Sequence, residues 1–146
     1  VTTVPYRFRD DIATADVAFD AWGESREAMF ASAADALLRT QVESPGAVSR
    51  VSEIAISEEA GELDLLLLAF LQDFIFHKDA RRLLLHAESV RIEEADGAYR
   101  VTATARGEAI DPARHRLLVD VKAVTLHRLR AAFEDGAWRA TVVLDV

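Results

Sequence analysis

Apolar and polar residues alternate with a period of two over Tyr6 to Arg9 and again over Val17 to Trp22, where Val17, Phe19 and Ala21 share one face and Asp16, Ala18 and Asp20 the other. The pattern predicts two short strands lying side by side. Gly23-Glu24-Ser25 then supplies a turn and an N-cap, Glu24 and Glu27 place negative charge at a helix start, and Met29, Phe30, Ala33, Ala36, Leu37 and Thr40 recur at helical spacing. A first helix is expected from Ser25 to Gln41, ending before the Ser44-Pro45-Gly46 turn. Val48, Ile54 and Ile56 suggest a further strand. Leu63, Leu66, Leu67, Phe70, Leu71, Phe74 and Ile75 follow in an i, i+3, i+4 register that only a helix can use. Leu65, Leu68 and Phe76 fall off that stripe, which predicts a helix buried between a sheet and another element or a partner. His77-Lys78-Asp79-Ala80-Arg81-Arg82 reads as a charged surface loop that a partner could contact. The remainder reads as strands at Leu83 to Ile92, Tyr99 to Arg106, Leu117 to Arg130 with breaks, and Trp138 to Val146, with Asp96-Gly97 and Asp135-Gly136 as tight hairpin turns.

Two helices among hairpin-connected strands define an α+β class: a pair of helices packed on one side of a mainly antiparallel or mixed β-sheet. With three Pro, six Gly and no flexible linker, residues 1–146 are expected to form one domain. A chain of this length buries roughly 70% of the surface its unfolded form exposes, so it needs no disulfide or structural metal. The absence of cysteine removes disulfides, thiolate zinc sites and cysteine nucleophiles. With 25 Asp and Glu against 17 Lys and Arg, a net charge of −8 argues against autonomous nucleic-acid binding, so contact with RNA is expected only indirectly, through a partner. The apolar run Leu65 to Leu71 is shorter than the about 20 residues that span a bilayer. Arg7, Arg9, Asp10 and Asp11 do not read as a signal peptide. A soluble, cytoplasmic protein is the expectation.

The six glycines are scattered singly, so no phosphate-cradling loop is present, and His77, His86, His115 and His127 lack the spacing of a zinc site. Asp145 is more informative. It interrupts Val142-Val143-Leu144-Asp145-Val146, where both faces look apolar, and its carboxylate would be costly to bury without a cation or hydrogen-bond donors. Either such a partner is present or the strand end frays into water. Asp16 lies on the solvated face with Asp20 and gains meaning only if the first and last strands meet.

Thr14-Ala15-Asp16-Val17, Ala21-Trp22-Gly23 before a helix, Ala105-Arg106-Gly107-Glu108, Asp111-Pro112-Ala113-Arg114-His115, Val121-Lys122-Ala123-Val124-Thr125-Leu126-His127 and the closing Val143-Leu144-Asp145-Val146 occur in that order. Together they resemble the archease family over essentially the whole chain. Two positions depart from the family pattern: its motif histidine is Ala13 here, and its tyrosine before the second histidine is Leu126. The resemblance implies a divalent metal site built from Asp16, Asp145 and the backbone carbonyl of Val146. Such hard oxygen ligands suit Ca²⁺ or Mg²⁺, with Mn²⁺ the alternative in a ligase complex. It implies a non-catalytic protein cofactor of an RtcB-type RNA ligase, promoting the ligase's guanylylation and multiple turnover in tRNA splicing or RNA repair. Lys122, within the family-like segment, would contact phosphate or the ligase.

A different function class is a chaperone-like modulator of a tRNA-modifying enzyme such as a tRNA methyltransferase, as suggested for the family. A third, a small metal-dependent hydrolase using Asp16 and Asp145, ranks last because no general base or nucleophile stands at recognisable spacing. The activator reading expects Asp16 and Asp145 close enough to share one ion.

Overall fold

A computed structural model describes residues 4–12 and 16–146, so Ala13, where the family's motif histidine is missing, lies outside the described residues. The chain runs β1 (Tyr6–Phe8), β2 (Val17–Gly23), α1 (Arg26–Gln41), a 3-10 turn (Pro45–Ala47), β3 (Ser52–Ala60), α2 (Leu63–Arg81), β4 (Leu83–Ala95), β5 (Ala98–Ala109), β6 (Ala123–Val124), β7 (Arg130–Glu134) and β8 (Ala137–Asp145). Ser25 caps α1 by accepting the Ala28 N–H at 3.0 Å, with Glu27 in the first turn and Arg39 in the last. Both Asp-Gly pairs close hairpins. Asp96 and Gly97 have φ of 53° and 73°, Asp135 and Gly136 of 51° and 81°, the left-handed pair that a two-residue turn matching strand twist requires.

The strands form two antiparallel sheets. In one, the order is β1-β2-β8-β6, with β7 also paired to β8; in the other, β3-β5-β4. Both helices bridge them: α1 packs on β2 and β4, and α2 on β3, β4, β5, β6 and β7. One core results, to which β2 gives Phe19 and Ala21, α1 Met29 and Phe30, α2 Leu66, Phe70 and Leu71, β5 Val101, and β8 Val142 and Leu144. The period-two alternation explains the first sheet. Phe19, Ala21, Ala140, Val142 and Leu144 face the helices, while Asp20, Thr141 and Arg139 stand on the outer face.

The expected helices, hairpins and strand adjacency are present, but one sheet was anticipated and two are found, because β4 and β5 form a long hairpin whose free β5 edge is taken by β3, the chain crossing between β3 and β4 through α2. Three local expectations are corrected. Lys78 is buried and α2 continues to Arg81, so this stretch is helix and not a loop; Lys78 follows Phe74 and Ile75 at i+4 and i+3 on the buried stripe. Leu65 and Phe76 are exposed, and of the three off-stripe residues only Leu68 packs partly against the core. From Leu117 to Arg130 the chain is mostly irregular, with β6 only two residues long. Its backbone is engaged elsewhere: Leu118 N–H donates to Gln41 O at 2.9 Å, and Leu117 bridges Val42, so the segment clasps the end of α1 instead of joining a ladder.

Candidate functional site

The site is built where the first sheet's central strands end. β2 and β8 pair antiparallel from Gly23 opposite Trp138 to Val17 opposite Leu144. Asp16 and Asp145 are the next residue outward on each side, both exposed, and by alternation they follow Ala18 and Val143 on the outer face. Directly opposed residues on such a pair have Cβ atoms about 4.5–5.5 Å apart, and like charges there repel. Among the described residues neither carboxylate has a side-chain hydrogen bond or ion pair. Asp20, four residues along, is the contrast. It accepts from Arg7 at 3.2 Å, Arg9 at 2.9 Å and the Thr141 hydroxyl at 2.8 Å, and so is fully compensated.

On its other side Asp145 lies opposite Ala123 of β6, and its carbonyl accepts the Lys122 N–H at 2.8 Å. The Lys122 side chain is exposed. Val146 is half-buried and packs on the core. The β6 segment is held from below by α2. Gln72 Oε1 accepts the Val124 N–H at 2.6 Å, and Lys78 Nζ donates to Val121 O at 2.7 Å while pairing with Asp120. Thr125 donates both its N–H and its hydroxyl to Val143 O at 3.0 Å. The strand beside Asp145 is thus fixed by a half-buried glutamine and a buried lysine of one helix. The sequence held a signal for this in the helical register of Lys78.

No group of three or more His, Asp or Glu side chains gathers into a metal cluster among the described residues. Asp16 and Asp145 are therefore a two-carboxylate set, and an ion held there must draw further oxygens from backbone, water or a partner.

A second polar centre, not singled out as a site from sequence, lies in the Gly107-Glu108 and Asp111-to-His115 segments. Buried Glu108 accepts from Ser49 N–H at 2.6 Å and His115 Nε2 at 3.0 Å, and pairs with Arg114. Asp111 N–H donates to His115 Nδ1 at 2.9 Å, so Nε2 carries the proton given to Glu108. The Ser49 amide first, then His115 and Arg114, hold the Glu108 carboxyl down from 4.5 to about 2. A depressed carboxyl pKa adds stability above the unfolded value that is lost as pH falls through the folded one. Glu108→Gln is accordingly expected to lower the melting temperature at neutral pH and to flatten the acid limb between pH 4.5 and about 2. Thermal melts across that range test it, and parallel acid limbs in the two proteins would refute the assignment.

Asp73 of α2, desolvated and facing Glu58, has its carboxyl pushed up to about 7, the range a general acid needs.

The arrangement defines a class: a two-sheet α+β protein that presents a pair of acidic side chains at an exposed strand end. The match to the archease protein family model extends over residues 6–146, and the chain belongs to the archease family. It is 36% identical to a protein archease of Methanopyrus kandleri and 34% identical to that of Pyrococcus furiosus, each match covering 91% of this chain and 94% of the relative. The solution structure of a Methanobacterium thermoautotrophicum protein superposes with a TM-score of 0.84 at 31% identity, covering 99% of this chain and 100% of that one. A Thermotoga maritima archease, described as a possible chaperone, shares the fold with a TM-score of 0.60 at 19% identity, covering 92% and 93% of the two chains.

Proposed function

We propose that this protein is a non-catalytic accessory factor of an RtcB-type RNA ligase, promoting guanylylation of the ligase and its multiple turnover in tRNA splicing or RNA repair, with a divalent cation between Asp16 and Asp145. The observation that carries the reading is the register. Two exposed aspartates without a side-chain partner among the described residues follow the Val17–Leu144 pair on the outer face of neighbouring strands, an arrangement that like-charge repulsion disfavours unless a cation neutralises it. The donor set fits a hard cation: two carboxylates, with the Val146 carbonyl and water or partner oxygens completing six or more ligands. Ca²⁺ or Mg²⁺ suits the free protein, and Mn²⁺ the ligase complex. Such an ion supplies charge neutralisation where triphosphate must be positioned for nucleotidyl transfer.

The chain's own residues do the positioning. Gln72 and Lys78 lock the segment that carries Lys122, and the Lys122 amide fixes the Asp145 carbonyl, so Asp145 and Lys122 are presented as one rigid unit. Lys122, exposed and bonded through its amide to the Asp145 carbonyl, would meet phosphate or the ligase surface. RNA is contacted only through the ligase, in keeping with the net charge of −8. Among the described residues no helix is long and apolar enough to cross a membrane; the cytoplasm is the proposed compartment.

The test is ligation of RNA ends by an RtcB-type ligase with GTP and Mn²⁺, at substrate excess, with and without this protein. Multiple turnover only in its presence is the expected result. Turnover unchanged by the wild-type protein would overturn the reading. A chaperone-like modulator of a tRNA-modifying enzyme such as a methyltransferase is the second reading, favoured by the apolar surface run at Leu117 to Val119.

A further inference from the structure

Three consecutive apolar residues stand in solvent on the segment that leads into the aspartate site: Leu117 is 44% exposed, Leu118 45% and Val119 40%. An isolated exposed leucine needs no explanation, but a contiguous run beside a functional site does. The run is not a loose loop. Glu43 N–H donates to Arg116 O at 2.9 Å, Leu118 N–H to Gln41 O at 2.9 Å and Val119 N–H to Thr40 O at 3.4 Å, while Lys78 clamps Asp120 and Val121 just beyond. Its backbone is satisfied and fixed while its side chains are withheld from the core. Holding apolar side chains outward on a rigid backbone lowers the ordering cost of association.

Two of the three, Leu118 and Val119, wall a cleft of about 340 Å³ that includes Asp16 itself, together with Phe8 and Val17. Apolar surface and acidic site are therefore one continuous patch. Its rim is acidic on balance: Asp10 and Asp16 line the cleft and Asp145 follows on the neighbouring strand, against Arg39 in the wall, while Asp120 beyond the run is paired with Lys78. Arg9 in the cleft wall is engaged by Asp11 and Asp20 and does not offset this rim. An apolar centre with a charged rim is the anatomy of a protein–protein interface.

We propose that the Leu117–Val119 ridge and its cleft are the docking surface for the partner protein that receives Asp16 and Asp145, and that the partner's matching face is apolar at its centre and cationic at its rim. The inference rests on the proposed function for the identity of that partner, the RtcB-type ligase. Charge decides between occupants. A second copy of this chain, related by a two-fold axis, would bring the acids Asp10, Asp16 and Asp145, which outnumber Arg39, against their own equivalents, and nucleic acid would bring phosphates against them. A cationic rim surrounding phosphate-handling chemistry has the complementary sign.

The experiment measures affinity of the full chain for the ligase by calorimetric titration, at low and high salt, beside light scattering for oligomeric state. The Leu118→Ser/Val119→Ser double variant is expected to bind at least tenfold more weakly, with unchanged circular dichroism. Leu118→Lys, a single change at an exposed position that opposes a cationic partner, is expected to lose at least as much. Val51→Ser, at a residue 78% exposed before β3, should bind as the wild type does. Wild-type affinity should fall with added salt. Wild-type affinity in the folded ridge variants would overturn the docking surface while leaving the ligase reading intact. A wild-type dimer that becomes monomeric in the ridge variants would overturn it in favour of self-association. Absence of any complex with the wild type would overturn the ligase reading and this inference with it.

Discussion

Asp16→Asn and Asp145→Asn are each expected to abolish stimulation of multiple-turnover ligation while leaving the fold intact and slightly more stable than the wild type without metal. The two effects have one cause. Opposed like charges across an antiparallel pair cost on the order of 0.2–1 kcal/mol, so neutralising either carboxylate relieves repulsion. The same change deletes one of the two ionic ligands of the proposed cation site. Loss of even an outer-shell partner of a metal commonly weakens binding 10–100-fold, and loss of a direct carboxylate at a two-carboxylate site should exceed about 100-fold. Added Ca²⁺ or Mg²⁺ should raise the melting temperature of the wild type, since a ligand that binds only the folded state stabilises it by RT ln(1 + [L]/Kd), and should leave both variants unmoved. Melting curves with and without metal, run beside the ligation assay, separate this account from its rivals. Variants that melt well below the wild type without metal would show that the aspartates support the fold, and variants that retain full stimulation would remove them from the function.

Much of the fold was readable because local chemistry and global structure agree at particular residues. Ser25 caps the first helix as its position suggested, and the two Asp-Gly pairs adopt the left-handed geometry their turns demand. Asp145 was the most telling single residue. An acid in an apolar strand asked for a partner or for solvent, and the structure supplies solvent together with a neighbouring position occupied by Asp16. What could not be read was non-local. Nothing within β3, β4 or β5 says that they leave the first sheet, since a half-buried strand has the same alternation whichever sheet it joins. The segment after Leu117 is apolar enough to be a strand, yet its hydrogen bonds go to the end of α1, a choice set by distant packing. The Glu108, Arg114 and His115 centre was present only as separated letters, because its spacing is that of a folded loop and not of any local period. Lys78 differs, since its place on the Phe74 and Ile75 stripe could have revealed a buried lysine seeking acceptors.

Gly107→Ala is expected to cost more stability than alanine at any other glycine of the chain, since its added Cβ would make the shortest approach. A Cβ at Gly107 would lie 1.7 Å from the Leu84 carbonyl oxygen, 2.7 Å from the Leu84 carbonyl carbon and 2.9 Å from the Leu85 Cα. All three are backbone atoms of β4, so no side-chain rotation can make room. β5 is the middle strand, bonded to β3 on one side and β4 on the other, and moving it away from β4 strains both ladders. It would also displace Glu108, the next residue, from the Ser49 amide and from His115. Overpacking in a closed site costs about 1–3 kcal/mol, and here lost hydrogen bonds of a buried carboxylate are added. A total of roughly 3 kcal/mol or more would lower the melting temperature by about 10 °C. Gly61→Ala is the control, because nothing lies within 4 Å of its added Cβ, and its change should stay within about 0.5 kcal/mol. Equal melting temperatures for the two variants would mean that the β4–β5 contact is looser than its geometry states, whereas a large drop confined to Gly107→Ala ties the close approach of these strands to the carboxylate centre beside it.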